Sequence, residues 1–181
     1  MLRLMILRHL KTGWALPGQR DFDRRLEARG IEDAAIVSRW IGDLGLAPDH
    51  VYCSDAERTR DTLRRIERAF SRPPAVTFHN ALYSGTSDDY LEAIERHPQA
   101  ESLMIVGHNP SCAALANQLI DRNAIARGSG GQADPSMNAI SYKYPTGALA
   151  VIDFDIADWS KVRPGSGRLV KFLMPKEFPV R

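Results

Sequence analysis

Six short apolar runs, separated by longer stretches of helical periodicity, constrain most strongly what this chain can fold into. The runs cover residues 3–8, 50–53, 75–79, 102–107, 147–154 and 168–173. Strands that are apolar along their whole length are typical of parallel sheets, because helices cover both faces of such sheets. We therefore predict an α/β fold, a three-layer α/β/α sandwich with a mostly parallel central sheet, formed by residues 1–181 as a single domain.

Four stretches between these runs carry apolar residues at the spacing of one helix face. They cover residues 31–45, 55–70, 87–97 and a segment from Pro110 to about residue 121. We predict that Gly30 breaks the chain before the first helix. The low-complexity segment 126–136, ARGSGGQADPS, is predicted to be a surface loop.

Composition excludes several classes of protein. A formal charge of +2 over 181 residues does not favour a nucleic-acid or membrane partner. Two cysteines, Cys53 and Cys112, are too few for a disulfide framework, and reduced thiols are typical of a cytoplasmic protein. No apolar run approaches the roughly 18 residues of a membrane span, and the first run is too short for a signal peptide.

Cations and imidazoles follow the ends of three predicted strands. Arg8 and His9 follow the first strand, Arg58 comes shortly after the second, and His108 follows the fourth. Ligands of open α/β sheets bind at the carboxyl ends of the strands. Arginine binds phosphate oxygens through paired N–H groups, a neutral imidazole can attack phosphorus, and a protonated second imidazole can donate to the developing charge. These residue types predict phosphoryl transfer without a metal or cofactor, because fixed cations neutralise the phosphate.

Four segments, taken in their order, resemble the histidine phosphatase superfamily, and in particular its short SixA-like phosphohistidine phosphatases. The segments are RHLKTGW, DFDRRLEARG, CSDAERTRDT and VGHNP. The resemblance extends over essentially the whole chain. It implies that His9 is the nucleophile that becomes phosphohistidine, that Arg8 and Arg58 hold phosphate oxygens, and that His108 contacts the phosphoryl group.

The resemblance also implies two further substrate-binding residues and shows two departures. Thr12 stands where the family often has a small hydroxyl residue, and Arg24 belongs to the D-x-D-R segment that is expected to reach the pocket. Leu10 replaces the small residue that usually follows the Arg-His pair, so the pocket could be narrower. The proton donor of larger relatives has no clear counterpart; Asp88 is the candidate, with Asp89 and Glu92 as alternatives in the segment 86–95.

Structural explanations exist for each of these residues taken alone. His9 could bond a backbone carbonyl, Arg58 could be a surface ion-pair partner, and Asp88 could cap a helix. His79 ends a strand and could line the pocket. A cysteine-based phosphatase is excluded because the spacing from Cys53 to the following arginines does not match the phosphate-binding loop of that class.

The combined pattern predicts a metal-independent phosphatase that works through a phosphohistidine intermediate. Its expected substrate is phosphohistidine on a protein partner. Three alternatives stay open: a phosphatase of small phosphomonoesters, a phosphoglycerate mutase-like enzyme, and an inactive protein that binds a phosphorylated ligand. The oligomeric state is not predicted.

Overall fold

The structure is a computed structural model that describes residues 1–96, 99–122, 140 and 143–175. The strands are β1 (Leu2–Arg8), β2 (His50–Ser54), β3 (Ala75–His79), β4 (Ser102–Gly107), β5 (Leu149–Phe154) and β6 (Gly167–Leu173). The helices are α1 (Ala28–Asp43), α2 (Glu57–Ile66), α3 (Ala81–Ser84), α4 (Ser87–Glu95) and α5 (Ser111–Leu119). Short 3-10 turns cover Asp21–Asp23, Glu67–Ala69 and Trp159–Lys161. The predicted loop at 126–136 lies outside the described residues.

The six strands form one sheet in the order β3-β2-β4-β1-β5-β6. β1, β2, β3 and β4 pair in parallel, whereas β5 runs antiparallel to both of its neighbours. This arrangement confirms the predicted mostly parallel sheet. Arg8 at the end of β1 stands opposite Gly107 at the end of β4. The residues that follow these strands therefore emerge side by side, and the segment that enters β5 reaches the same edge of the sheet.

Helices cover both faces of the sheet, which confirms the three layers. Met5 and Leu7 of β1 pack towards α1 and α2, and Leu4 and Ile6 pack towards α4 and α5. All four side chains are fully buried. Burial of each stabilises the fold by about 1.5–3 kcal/mol, so apolar residues are favoured at successive positions of a central strand. This two-sided burial is the physical reason for the unbroken apolar runs of the central strands β1, β2, β4 and β5.

The predicted helix break at Gly30 is wrong, because Gly30 lies inside the first turn of α1. A Cβ atom at this position would overlap the carbonyl oxygen of Lys11. Glycine is therefore required for the close approach of α1 to the segment that follows β1, and not for a turn. The helix begins three residues earlier than the apolar periodicity predicts, at Ala28.

No helix in the described ranges is both long and apolar enough to cross a membrane.

Candidate active site

His9 lies directly after β1, at the carboxyl end of the parallel strands. Its backbone N–H donates to the carbonyl of Gly107 at 3.0 Å, which fixes it beside the end of β4. Its ring Nδ1 lies 2.7 Å from the carbonyl oxygen of Leu10. Because a carbonyl oxygen can only accept, Nδ1 carries the proton and the neutral ring keeps its lone pair on Nε2.

The charge state of His9 suits a nucleophile. Burial, followed by smaller effects of neighbouring groups that include His108, Arg58 and Arg8, holds the pKa of His9 well below its ordinary value. The imidazole is therefore unprotonated at neutral pH. A neutral imidazole with a fixed tautomer and a free lone pair is ready to attack an electrophilic centre.

Arg8 and Arg58 both supply positive charge near His9. The Nη1 atom of Arg8 donates to the carbonyl of Tyr144 at 2.8 Å, and its buried Nε has no partner among the described residues. Burial lowers the pKa of Arg8, and the nearby Arg58 adds to the effect. A buried N–H without an acceptor is costly.

Asp21 holds the guanidinium of Arg58 and was missed by the sequence reasoning. Arg58 donates from Nη1 to the backbone carbonyl of Asp21 at 2.7 Å and from Nη2 to its carboxylate at 3.0 Å. The same carboxylate accepts from Tyr83 and Arg24. These cationic and hydroxyl donors, Arg24 first, lower the pKa of Asp21 to about 2, so it stays ionised. One proton on each Nη atom and the Nε proton of Arg58 are left for another acceptor.

His108 follows β4 and faces His9, with 5.2 Å between the ring centroids. Its Nε2 lies 2.8 Å from the hydroxyl of Ser54. Its backbone N–H donates to the hydroxyl of Tyr90 at 3.0 Å, and a Cβ atom at Gly107 would overlap that hydroxyl. The glycine before His108 therefore lets Tyr90 reach the backbone and position the histidine.

Burial, with a further contribution from Arg58, lowers the pKa of His108 to about 3. His108 is thus neutral in the free protein, whereas the sequence reasoning considered a protonated ring. If Ser54 donates to Nε2, the ring keeps its proton on Nδ1, which has no partner among the described residues. In that tautomer the one N–H of the neutral ring is buried.

The low pKa of His108 predicts a pH dependence of stability. The folded-state pKa of about 3 lies below the ordinary value of 6.5, so the unfolded chain takes up a proton first as the pH falls. His108 therefore contributes its full stabilisation above the pKa that it has in the unfolded chain. This contribution is lost as the pH falls towards the pKa of the folded state. Between about pH 8 and pH 5 we expect His108 to account for a loss of about 2 kcal/mol in the free energy of unfolding.

Urea unfolding of the wild type and of His108→Asn at both pH values measures this contribution. Asparagine keeps a polar group that can bond Ser54 and does not titrate. We expect the variant to lose less stability than the wild type on acidification. An identical loss in both proteins would show that His108 does not have a lowered pKa.

Three residues of the CSDAERTRDT segment, spaced four apart, have distinct contacts. Ser54 meets His108, Arg58 points to Asp21, and the Thr62 hydroxyl accepts the backbone N–H of Leu10 at 3.0 Å. Leu10 itself is fully buried in the core on the α1 side and does not line the cavity. The larger residue after the Arg-His pair therefore packs away from the pocket and does not narrow it.

A cavity of about 270 Å³ opens over His9. Its lining comprises Arg8, His9, Lys11, Thr12, Trp14, Arg24, Arg58, His108, Asn109 and Thr146. Thr12 and Arg24, both predicted as substrate-binding residues, are thus brought to the cavity with the other four. Arg24 donates from Nη2 to the Thr12 hydroxyl at 2.8 Å, which leaves the Thr12 proton free to donate.

The three proton-donor candidates do not line this cavity. Asp88 is exposed in the first turn of α4. Asp89 accepts from the backbone and hydroxyl of Thr86 in a capping box, and this lowers its pKa. Glu92 pairs with Arg96 on the helix surface. Capping accounts for the position of Asp89 and surface pairing for that of Glu92, whereas the N-cap of α4 is Thr86 and not Asp88.

Residues 4–82 match the sequence profile of the histidine phosphatase superfamily (branch 1). A protein from Agrobacterium tumefaciens, provisionally assigned as the phosphohistidine phosphatase SixA, is 32% identical, and the alignment covers 96% of this chain and 98% of that chain with a TM-score of 0.75. The chain belongs to the histidine phosphatase superfamily. A second structure with the same provisional assignment, from Nakamurella multipartitia, is 25% identical over 96% of both chains, with a TM-score of 0.78. An uncharacterized protein of Mycobacterium tuberculosis is 33% identical over 94% of this histidine phosphatase and 100% of the relative.

Some cavity residues of this histidine phosphatase were not identified from its sequence. Thr146 and the Tyr144 carbonyl reach the site because β5 is antiparallel, so the residues before it lie at the edge where parallel strands end. A search of strand ends alone overlooks such residues. Asp21 lies in a motif that was quoted, yet its contact with Arg58 spans 37 positions and no local pattern indicates it.

Proposed function

We propose that this histidine phosphatase is metal-independent and works through a phosphorylated His9. The bond from His9 Nδ1 to the Leu10 carbonyl carries this proposal, because it leaves the Nε2 lone pair at a cavity with two arginines. The guanidinium groups of Arg8 and Arg58, which line the cavity, would hold the oxygens of the phosphoryl group, and His108 would contact it.

The proposed reaction has two steps. The Nε2 lone pair of His9 attacks phosphorus while the bond from phosphorus to the leaving group breaks, with its electron pair going to the leaving group. The phosphorylated ring keeps its Nδ1 proton and becomes cationic, and the Leu10 carbonyl stabilises that charge. Water then attacks phosphorus, the N–P bond breaks, and dihydrogen phosphate leaves neutral His9 behind.

We propose phosphohistidine on a protein partner as the substrate. The residues that line the cavity in the described part of the chain are basic or neutral. An alkoxide leaving group needs a proton from an acid, whereas a phosphoimidazole that is protonated on its other nitrogen leaves as neutral imidazole. Two similar structures with a provisional assignment as phosphohistidine phosphatases also support this substrate.

Cys53 and Cys112, both buried free thiols, suit a reducing compartment, and we propose the cytoplasm.

A rapid-quench experiment tests the proposal. The purified protein is mixed in EDTA with a peptide that carries ³²P-labelled phosphohistidine, and the reaction is stopped in alkali, in which phosphohistidine is stable. We expect label on His9 that rises and then decays to free phosphate. Turnover without label on His9, or turnover that EDTA abolishes, would contradict the mechanism.

Parallel assays separate the alternative functions. Faster turnover of small phosphomonoesters than of the peptide would contradict the proposed substrate. Return of the phosphoryl group from His9 to a phosphoglycerate would instead identify a mutase. Tight binding of the phosphopeptide without label or phosphate release would identify an inactive binding protein.

A further inference from the structure

Trp14 is the most exposed large apolar side chain of the described residues, and it lines the same cavity as His9. Its relative exposure is 93%, although burial of an indole is strongly favourable. The reaction above does not use it. In the described part of the lining, it stands among residues that are charged, polar or imidazole. A ligand bound in the cavity can therefore contact the indole ring of Trp14.

The backbone that carries Trp14 is held firmly. Arg24 donates to the carbonyl of the preceding Gly13 from Nε at 3.0 Å and from Nη2 at 2.7 Å. Beyond Trp14, the Leu16 N–H donates to the Gln19 side chain at 3.0 Å, and that side chain donates to the Asp23 carbonyl at 2.9 Å. The indole is thus exposed because a fixed backbone presents it at the rim, and not because the segment is unsupported.

We propose that Trp14 selects substrates whose leaving group carries a planar aromatic ring next to the phosphoryl group, by stacking on that ring. The inference rests on the proposed function and names the feature of the leaving group that is recognised. When the phosphorus lies at His9, a leaving group bonded to it must extend towards the rim of the cavity. An aromatic ring there can stack on the indole, and a protonated imidazole gains a further cation–π attraction.

This contact would favour the reactive form of phosphohistidine. The protonated ring is the form that leaves as neutral imidazole when the P–N bond breaks. Trp14 stabilises a cationic ring more than a neutral one, so binding at the rim raises the protonated fraction. An alkyl leaving group or a bare amine has no aromatic face and gains neither contribution.

Four substrates and three variants test the proposal. The substrates are a phosphohistidine peptide, phosphoramidate, phenyl phosphate and ethyl phosphate, so that each aromatic compound has a partner without a ring. We expect Trp14→Ala to raise KM about 3- to 10-fold for the two aromatic substrates and less than about 2-fold for the other two. Trp14→Phe should restore most of the wild-type KM for the two aromatic substrates. Leu16→Ala, which removes a neighbouring side chain that is 70% exposed and not part of the cavity, should leave all four values unchanged.

The outcomes distinguish this inference from the proposed function. Equal losses on all four substrates would show that Trp14 supports the loop and would overturn the inference, as would unchanged values throughout. If the wild type does not hydrolyse phosphohistidine but Trp14→Ala still raises KM for phenyl phosphate more than for ethyl phosphate, the proposed substrate fails and the role of Trp14 stands.

Discussion

Replacing His9 with asparagine is expected to lower kcat/KM for a phosphohistidine peptide by at least about 10³-fold. The Nδ2 group of asparagine can still donate to the carbonyl of Leu10, which accepts from His9 Nδ1 at 2.7 Å in the wild type. The amide has no basic lone pair in place of Nε2, so no covalent intermediate can form. Alkaline quench and mass spectrometry of the protein measure the loss of the phosphorylated residue directly.

His9→Ala provides the comparison that separates chemistry from folding. Alanine leaves the buried Leu10 carbonyl without its donor, and an unpaired buried acceptor costs about 1–3 kcal/mol. We therefore expect His9→Ala to be less stable than His9→Asn, while both are equally inactive. Substantial activity in the well-folded His9→Asn protein would exclude a covalent intermediate on this residue.

Replacing Arg58 with methionine is expected to lower kcat/KM by about 10²–10³-fold. Methionine fills a similar volume, so the core contact of the side chain is largely retained, but the cation beside His9 is lost. Arg58→Lys keeps a positive charge but not the forked geometry, and should remain impaired. Steady-state kinetics measures the loss of kcat/KM, and competition by inorganic phosphate measures the loss of affinity for a bound phosphate.

Asp21→Asn is the matched comparison for Arg58. The variant keeps the backbone carbonyl that accepts from Arg58 and removes the charge that orients the guanidinium. We expect a smaller loss than in Arg58→Met, because the cation stays in the site. If Asp21→Asn and Arg58→Met were equally impaired, Asp21 would have a role beyond positioning. If Arg58→Met kept its activity and its affinity for phosphate, Arg58 would not bind the phosphoryl group.

The central strands β1, β2, β4 and β5 could be predicted closely because the sheet buries them on both faces, whereas the edge strands β3 and β6 are partly exposed. The apolar runs at 75–79 and 102–107 coincide with β3 and β4, and the other four runs agree with their strands to within two residues at either end. The helix ends were less predictable. Helical periodicity does not reveal that the close approach of Lys11 places Gly30 inside α1, nor that residues 67–69 tighten into a 3-10 turn after α2.

The site residues at the carboxyl ends of the parallel strands could be predicted from the sequence, because the topology brings those ends together. His9, Arg58 and His108 follow from that rule, and the structure places them around one cavity. The rule does not reach Tyr144, which precedes an antiparallel strand. Nor does it indicate Asp21, whose position depends on a loop that packs back on α2.

The strand order also affects how the protein becomes active during folding. The contacts of the site join distant parts of the chain: Ser54 and His108 are 54 positions apart, and Arg8 and Tyr144 are 136 apart. Closing such long loops costs entropy before any contact compensates for it, so these pairings are slow relative to local helices. A nascent chain would therefore carry His9 before the cavity around it exists. His9 is synthesised before the other residues of the site, and the cavity is completed only after the segment that precedes β5 has joined the sheet.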